Sequence, residues 1–527
     1  MNIRNYNIYF HTHTVSGIII TAVLYVIFFA GSFAFFKQEI SNWQKDTPDD
    51  RKVMMMMDYC KLADSLDKEL KLYGRDVSFY FNDHSRHIRV SVSASKDTVN
   101  PKAKERSFFS LDPVTHKMSS YSEGYDLGEF LYRLHFLAPV NSMAKFGFPL
   151  GYYIAGAIAI MFLFALVTGL LLHWEKIVSN FYIFRPWEKL KTVWTDLHTA
   201  LGVISFPFLL VFSVTGAYFL VTSVLFMPAA VQVKYGGSQD SLYADLGYRE
   251  HEYEFKNERT AVKPDWNHYL EAAREKWGRD IVLNSIEVHN YGDKNMHLSV
   301  HGMARRSRKL TSKGELIYHV ESGRLVDQQN PLGPSSYTEI ADNLLYILHF
   351  GNYGGTALKI LYFLLGIAGC VVIVSGVLIW QKARDKKSTD GRKRAFNNWL
   401  TNIYLSICLS MYPVTAAAFV VVKFFPDRGM HFIYKVYFWS WLAASVLLAI
   451  RKNNYKTNRD CLLAGSIIGI CIPFCNGMVT GNWIWNSFRN RYHDILLVDL
   501  FWLLLAAMTF TCWWLVVKKH RRVAASV

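Results

Sequence analysis

Eight long apolar runs alternate with polar segments along the 527-residue chain. Each run reaches about 20 residues, the length that a helix needs to cross the hydrocarbon core of a bilayer. The pattern predicts an α-helical polytopic membrane protein that has the lipid bilayer as a partner. The expected membrane-spanning helices lie at about 14–36, 149–173, 198–226, 357–380, 398–424, 431–450, 462–480 and 495–517.

Two polar segments, 37–148 and 227–356, are long enough to fold outside the bilayer. Each has a helical stretch followed by short runs in which apolar and polar residues alternate, as in a half-buried strand. We therefore expect each segment to form a small α+β domain, and residues 1–380 to be an internal repeat of helix, domain and helix. The expected strands are Val77–Phe81, Ile88–Ser93, Phe108–Leu111, Ser285–Val288, His297–Val300 and Glu315–Val320.

This organisation divides the chain into six consecutive parts. They are the first membrane helix (1–36), the first domain (37–148), the second and third helices with their loop (149–226), the second domain (227–356), the fourth helix with a basic loop (357–397) and the last four helices (398–527).

Basic residues concentrate in four segments between or after the expected helices. The net charge is +16, from 58 Lys and Arg against 42 Asp and Glu. Short loops rich in Lys and Arg stay on the cytoplasmic side of a membrane. We therefore expect both termini in the cytoplasm and both domains outside it. No zinc-finger, helix-turn-helix or RNP pattern accompanies the charge, so no nucleic acid is expected as a partner. The basic segments are 174–197, 381–397, 451–460 and the C-terminal tail.

Four histidines recur as two matched pairs at the ends of apolar runs. His13 and His198 each open the sequence His-Thr-x-x-Gly. His135 and His349 each lie in the sequence Leu-Tyr-x-Leu-His-Phe. By the expected topology, the first pair lies at the cytoplasmic ends of helices one and three, and the second pair lies at the outer ends of helices two and four.

Paired histidines at the ends of membrane helices suit the axial ligation of haem, because neutral imidazole binds iron well. We expect two b-type haems, one on His13 and His198 and one on His135 and His349, and hence electron transfer across a membrane. His173, at the cytoplasmic end of the second helix, is an alternative to His13. Covalent attachment is not expected, since the sequence has no Cys-x-x-Cys-His motif.

Glycines share a helical stripe with the first pair. In the first and third helices, one glycine follows the histidine by four residues and another by 18; these are Gly17, Gly31, Gly202 and Gly216. Both spacings return to about the same face of an α-helix. The stripe predicts a ligand near one membrane surface and room for a flat macrocycle near the other. Close helix packing is the alternative explanation of the small residues.

The end of the second helix and the loop after it resemble a known family. The relevant motifs are Thr168-Gly169-Leu170-Leu171-Leu172-His173, Phe184-Arg185-Pro186 and Trp194-Thr195-Asp196-Leu197-His198. With the repeated order of helix, domain and helix, they resemble the PepSY-associated transmembrane-helix family over about residues 8–385. The resemblance implies haem and iron, because members include inner-membrane di-haem proteins that reduce ferric siderophores.

By this resemblance, we expect a haem-dependent ferric-siderophore reductase in the bacterial inner membrane, with two PepSY-like domains in the periplasm. A ferric siderophore is then the electron acceptor. The sequence has no dinucleotide-binding fingerprint and no Walker loop. Electrons are therefore expected from a cytoplasmic reductase or from quinol.

Two other functions fit the same pattern. A non-enzymatic, membrane-anchored module would use paired PepSY-like domains to bind a peptide or protein. A siderophore transporter would suit two repeats around an axis. The expected helices carry no paired ionisable residues at mid-membrane depth, which favours electron transfer over transport.

Overall fold

The computed structural model describes residues 2–46, 57–81, 87–97, 105–113, 117–143, 147–246, 253–278, 280–304, 313–335, 337–386 and 388–525. Within these ranges the chain forms two compact units. The first comprises Met1–Asp46, Asp126–Val233 and Tyr346–Val527, and the second comprises Thr47–Tyr125 and Lys234–Leu345.

Eight helices in the described ranges are long and apolar enough to cross a membrane, which confirms the number expected from hydropathy. Each overlaps one expected run. The spans are Ile3–Ala34, Leu150–Ser179, Leu190–Val233, Asn352–Arg384, Gly391–Phe424, Gly429–Ile450, Asn454–Thr480 and His493–Arg522.

The α-helices, in chain order, are α1 (Ile3–Ala34), α2 (Lys37–Lys45), α3 (Tyr59–Leu70), α4 (Leu127–His135), α5 (Ala138–Met143), α6 (Leu150–His173), α7 (Ile177–Tyr182), α8 (Leu190–Val221), α9 (Met227–Val233), α10 (Gln239–Asp245), α11 (Trp266–Trp277), α12 (Tyr337–Phe350), α13 (Gly355–Arg384), α14 (Gly391–Phe424), α15 (Gly429–Ile450), α16 (Asn454–Thr480), α17 (Ile484–Arg489) and α18 (His493–Ala525). Side chains that accept from free backbone N–H groups begin several of them, among them Asn2 for α1, Asp126 for α4 and Asn453 for α16.

The first four spans form a closed ring. Helices α1 and α8 each pack against both α6 and α13. In the C-terminal part of the chain, α14 packs against α15 and α16, and α16 packs against α18. The short helix α2 follows α1 and packs against α4 and α18. The ring places the ends of α1, α6, α8 and α13 around common spaces, which is where the paired histidines lie.

The second unit contains one antiparallel sheet of eight strands. Its strands are β1 (Val77–Tyr80), β2 (Ile88–Val92), β3 (Ser107–Leu111), β4 (Met118–Ser120), β5 (Ile281–His289), β6 (His297–Ala304), β7 (Lys313–His319) and β8 (Arg324–Gln329). Their order across the sheet is β4-β3-β2-β1-β5-β6-β7-β8. Each polar segment of the sequence therefore contributes four consecutive strands.

One face of this sheet is apolar and carries the core. Alternate residues such as Val77, Phe79 and Ile286 are fully buried there, beneath α3 and α11. Phe79 and Trp266 meet edge to face, with ring centroids 4.9 Å apart. Burial of the apolar face of a sheet beneath amphipathic helices is the usual solution for an α+β unit.

The sheet corrects one expectation about domains. We expected segments 37–148 and 227–356 to fold as two separate domains, but β1 pairs with β5 in the register Val77↔Val288 to Tyr80↔Ser285. The strands of both segments thus belong to one sheet and one unit. The physical reason is that β1 and β5 would each be an unpaired edge strand in a separate domain, and their pairing satisfies both edges.

Candidate functional site

A cavity of about 410 Å³ lies within the first unit, the membrane unit, which contains all eight membrane-spanning helices. This volume falls in the usual range for a site that holds a small molecule or cofactor. Aromatic and small side chains form most of its walls, and two histidines, His135 and His349, reach into it. Further wall residues include Ile27, Phe28, Gly31, Tyr132, Phe212, Gly216, Phe219, Tyr346 and Gly366.

His135 and His349 form the first of two histidine pairs that the structure brings together. His135 is the last residue of α4, and His349 is one residue from the end of α12. Their ring centroids are 5.9 Å apart, with 41° between the ring planes. The repeated Leu-Tyr-x-Leu-His-Phe sequence thus places its two histidines opposite each other.

Hydrogen bonds fix which nitrogen of each ring is available to a ligand. His135 Nδ1 donates to the carbonyl of Ile27, at 2.8 Å. His349 Nδ1 lies 2.7 Å from Thr215 Oγ1, whose own hydrogen goes to the Val211 carbonyl. Because a carbonyl only accepts, and the threonine hydrogen is already used, both Nδ1 atoms carry hydrogen. The Nε2 lone pair of each ring is then the one left available to a ligand.

His13 and His198 form the second pair. Their ring centroids are 6.1 Å apart, with 68° between the planes. His13 Nδ1 donates to the Ala165 carbonyl at 2.9 Å, and His198 Nδ1 donates to the Val372 carbonyl at 2.8 Å. Both rings therefore present Nε2 in the same way as the first pair.

His173 lies near this second pair. It is the last residue of α6 and interacts electrostatically with both His13 and His198. Three histidines thus gather at one end of the ring of helices. The ring-to-ring pairing of His13 with His198 favours these two as a ligand pair, and His173 remains the alternative to His13.

A glycine accompanies three of the four histidines, one helical turn after the carbonyl that accepts from Nδ1. A Cβ atom added at Gly31 would lie 2.4 Å from His135 Nδ1. The corresponding distances to Nδ1 are 3.2 Å from Gly169 to His13 and 3.3 Å from Gly376 to His198. Gly31 was singled out in the sequence by its position on the stripe. The roles of Gly169 and Gly376 were missed, because each packs against a histidine of another helix.

The two histidine pairs lie at opposite ends of the ring of helices. On α1, His13 belongs to one pair, whereas Ile27 accepts from His135 of the other. These two positions are 14 residues apart in the sequence, which is roughly 21 Å along an α-helix. Two glycines of the stripe, Gly31 and Gly216, line the cavity that contains His135 and His349.

A partly buried ion-pair cluster lies on the helix that carries His135. Glu129 of α4 pairs with Lys37 of α2, and Arg133 Nε lies 2.7 Å from Glu129 Oε1. Burial raises the pKa of Glu129, but the two cations outweigh it and hold the pKa at about 2. The carboxylate therefore stays ionised and fixes α4 against α2.

The donor set fits a haem better than a bare metal ion. Two imidazoles bound to one metal from opposite sides, at about 2 Å each, have ring centres roughly 6 Å apart, close to the observed 5.9 and 6.1 Å. In the described part of the chain, no group of three or more His, Cys, Asp or Glu side chains is arranged to hold a metal. A pair of imidazoles would suit a haem, whose macrocycle supplies the remaining ligands.

No curated protein matches the chain. The sequence model of the PepSY-associated TM region matches residues 10–383, which include all five histidines discussed above. Since this match covers well over half of the chain, the protein belongs to the family of PepSY-associated TM regions.

Proposed function

We propose that this protein is a di-haem membrane oxidoreductase that passes electrons across the inner membrane to a ferric siderophore in the periplasm. The observation that carries the proposal is the arrangement of the two histidine pairs. In each pair, Nδ1 is engaged by a neighbouring helix, Nε2 is left for a metal, and the spacing suits one iron between two rings.

The chain's own residues hold and tune the two positions. Haem bound there would supply a one-electron Fe(III)/Fe(II) couple. The carbonyls of Ile27, Ala165 and Val372 orient three of the rings and raise the basicity of the ligating nitrogen. Aromatic side chains around the cavity exclude water.

The positions of the pairs support transfer across the bilayer. The basic loops suggest that His13 and His198 lie on the cytoplasmic side, where a soluble reductase or quinol would deliver electrons. His135 and His349 would then face the periplasmic acceptor. One electron reduces chelated Fe(III) to Fe(II), which binds hard oxygen ligands less strongly, so the metal is released.

The first test is a dithionite-reduced-minus-oxidised absorbance spectrum of the purified protein, with haem quantified as the pyridine haemochrome. We expect a b-type spectrum and about two haems per chain. A His135→Ala/His349→Ala variant should retain about one haem and lose reduction of an externally added ferric chelate. Exposed His431 on α15 provides the control, since His431→Ala should keep both haems.

Single variants separate the alternatives at the other pair. If His13 is the ligand, His13→Ala should lose one haem and His173→Ala should retain two; the reverse result would assign the position to His173. A featureless spectrum from folded protein, even after haem is supplied, would contradict the proposal. The membrane-anchored binding module would then be the better hypothesis.

A further inference from the structure

The last four spans lie outside residues 10–383, the part matched by the family. The short helix α2 contacts both these spans and α4, the helix that carries His135. We propose that the C-terminal helices position His135 through α2, with Trp43, Asp499 and Lys423 as the positioning residues. The inference uses the proposed function only for its spectroscopic test, because the contacts themselves do not depend on haem.

Trp43 of α2 is the centre of these contacts. Its side chain is fully buried, and its indole Nε1 donates to Asp499 Oδ1 of α18 at 2.8 Å. Its backbone carbonyl accepts from Lys423 Nζ of α14. The same ammonium lies 4.5 Å from the centre of the indole ring. One residue of α2 therefore binds two different C-terminal spans.

The charged groups in this contact are unusually enclosed. Lys423 is 1% exposed and Asp499 is 0% exposed. Asp499 Oδ2 also accepts from Asn476 Nδ2 of α16, at 2.8 Å. Buried charges persist only where hydrogen bonds satisfy them, so these side chains must keep their geometry. Such a network resists small displacements of α2 more strongly than apolar contacts would.

Helix α2 in turn holds the beginning of α4. Ser41 donates to Asp126 Oδ1 at 2.7 Å, and the backbone N–H of Leu127 donates to Gln44 Oε1 at 2.8 Å. A Cβ atom at Gly128 would lie 2.2 Å from the Lys37 carbonyl. The two backbones therefore approach as closely as glycine permits.

A second contact joins α4 directly to the C-terminal helices. Phe130 of α4 is fully buried and lies with its ring centroid 4.7 Å from that of Tyr437 on α15. His135 is five residues further along the same short helix. Polar contacts through α2 and aromatic contacts through α15 thus fix α4 from two sides, and with it the ring of His135.

The test compares Trp43→Phe with a matched substitution, Trp439→Phe. Trp439 also belongs to the C-terminal spans, but it is 69% exposed. In full-length protein, hydrogen exchange should become about tenfold faster in residues 127–135 of Trp43→Phe, because a buried acceptor loses its donor and the helix opens more often. Exchange in Trp439→Phe should match the native chain.

The second measurement is electron paramagnetic resonance of the oxidised protein. Trp43→Phe should shift the low-spin signal of the haem on His135 and His349 and leave the other signal unchanged, as a change of ring orientation at one pair requires. Unchanged exchange in residues 127–135 would overturn the positioning role, as would equal shifts of both signals. If the native protein gives no haem signal, the proposed function is contradicted. The positioning role of α2 is then still tested by hydrogen exchange in residues 127–135.

Discussion

At each histidine, groups from a neighbouring helix decide where the ring lies. A carbonyl or hydroxyl binds Nδ1, and for His13, His135 and His198 a glycine leaves room for the ring. These contacts determine both the tautomer and the direction of Nε2. The direction of each Nε2 therefore depends on residues that are not themselves candidate ligands.

Gly31→Ala tests this dependence. The added methyl group would lie 2.4 Å from His135 Nδ1, far inside contact distance, so the ring must move and lose its bond to Ile27. We expect the variant to retain about one haem per chain by pyridine haemochrome. Gly391→Ala at the beginning of α14 is the control, because no described heavy atom lies within 4 Å of its added methyl group. Equal haem contents in both variants would show that Gly31 does not determine the position of the His135 ring.

The sequence could predict the histidines but not their supports. The two repeated motifs paired His13 with His198 and His135 with His349, and the structure places the rings of both pairs together. The partners on neighbouring helices were not predictable, because a backbone carbonyl leaves no mark in the sequence. Apart from the glycine stripe that contains Gly31, the Thr-Gly or Ser-Gly steps at Thr168, Thr215 and Ser375 offered a signal, and such steps are common in packed membrane helices.

Among the elements, the membrane helices followed from the sequence because hydropathy over about 20 residues is a local signal. The order of the strands in the sheet could not be predicted from the sequence in the same way. The expected strands were found, together with β4 and β8, but the pairing of β1 with β5 joins residues more than 200 positions apart. Alternation within a strand shows which face is buried, and it does not show which strand lies beside it.

The contact between α2 and α4 has a pH dependence that follows from Glu129. The pKa of Glu129 in the folded protein is about 2, below its ordinary value, because Lys37 and Arg133 outweigh the effect of burial. A depressed pKa adds stability that is complete above the unfolded pKa and is lost as the pH falls through the folded pKa. The stabilisation is about 3 kcal/mol at neutral pH.

Glu129→Gln should therefore lower the thermal midpoint of the purified protein at pH 7, and the difference from the native chain should shrink as the pH falls from about 4 towards 2. Exposed Glu275 of α11 gives the matched control, since Glu275→Gln should leave the midpoint unchanged. A difference that stays constant from pH 7 to pH 3 would show that the ion pairs are not its source.

At the scale of the whole molecule, residues 10–383, which match the family, have two halves. These halves contact each other both in the membrane unit and in the sheet unit. In the membrane unit, α1 and α6 of the first half close a ring with α8 and α13 of the second. In the sheet unit, β1 and β5 are neighbours. Both histidine pairs combine one residue from each half. The halves are therefore expected to fold as one structure, and neither half holds a complete histidine pair alone.

A disulfide between β1 and β5 tests whether these two strands pair. Ser78 and Glu287 are direct partners on β1 and β5, and the Cβ atoms of such partners lie about 5 Å apart, near the reach of a disulfide. In a Cys60→Ser background, Ser78→Cys/Glu287→Cys should cross-link on mild oxidation. A protease site placed between Pro186 and Trp187, where Trp187 is 72% exposed, then separates the halves. The fragments should stay together on a non-reducing gel and separate on reduction.

The control pair replaces Ser78 with Ser110 of β3, which is three strand spacings from β5 in the same sheet. At about 4.8 Å per spacing, its Cβ lies roughly 14 Å from that of residue 287, beyond the reach of a disulfide. Ser110→Cys/Glu287→Cys should therefore yield two separate fragments after cleavage. If Ser78→Cys/Glu287→Cys also yields two separate fragments, β1 does not pair with β5 and the segments fold as two separate domains. In that case the first interpretation of the sequence would be restored, and no strand pairing would hold the two segments together.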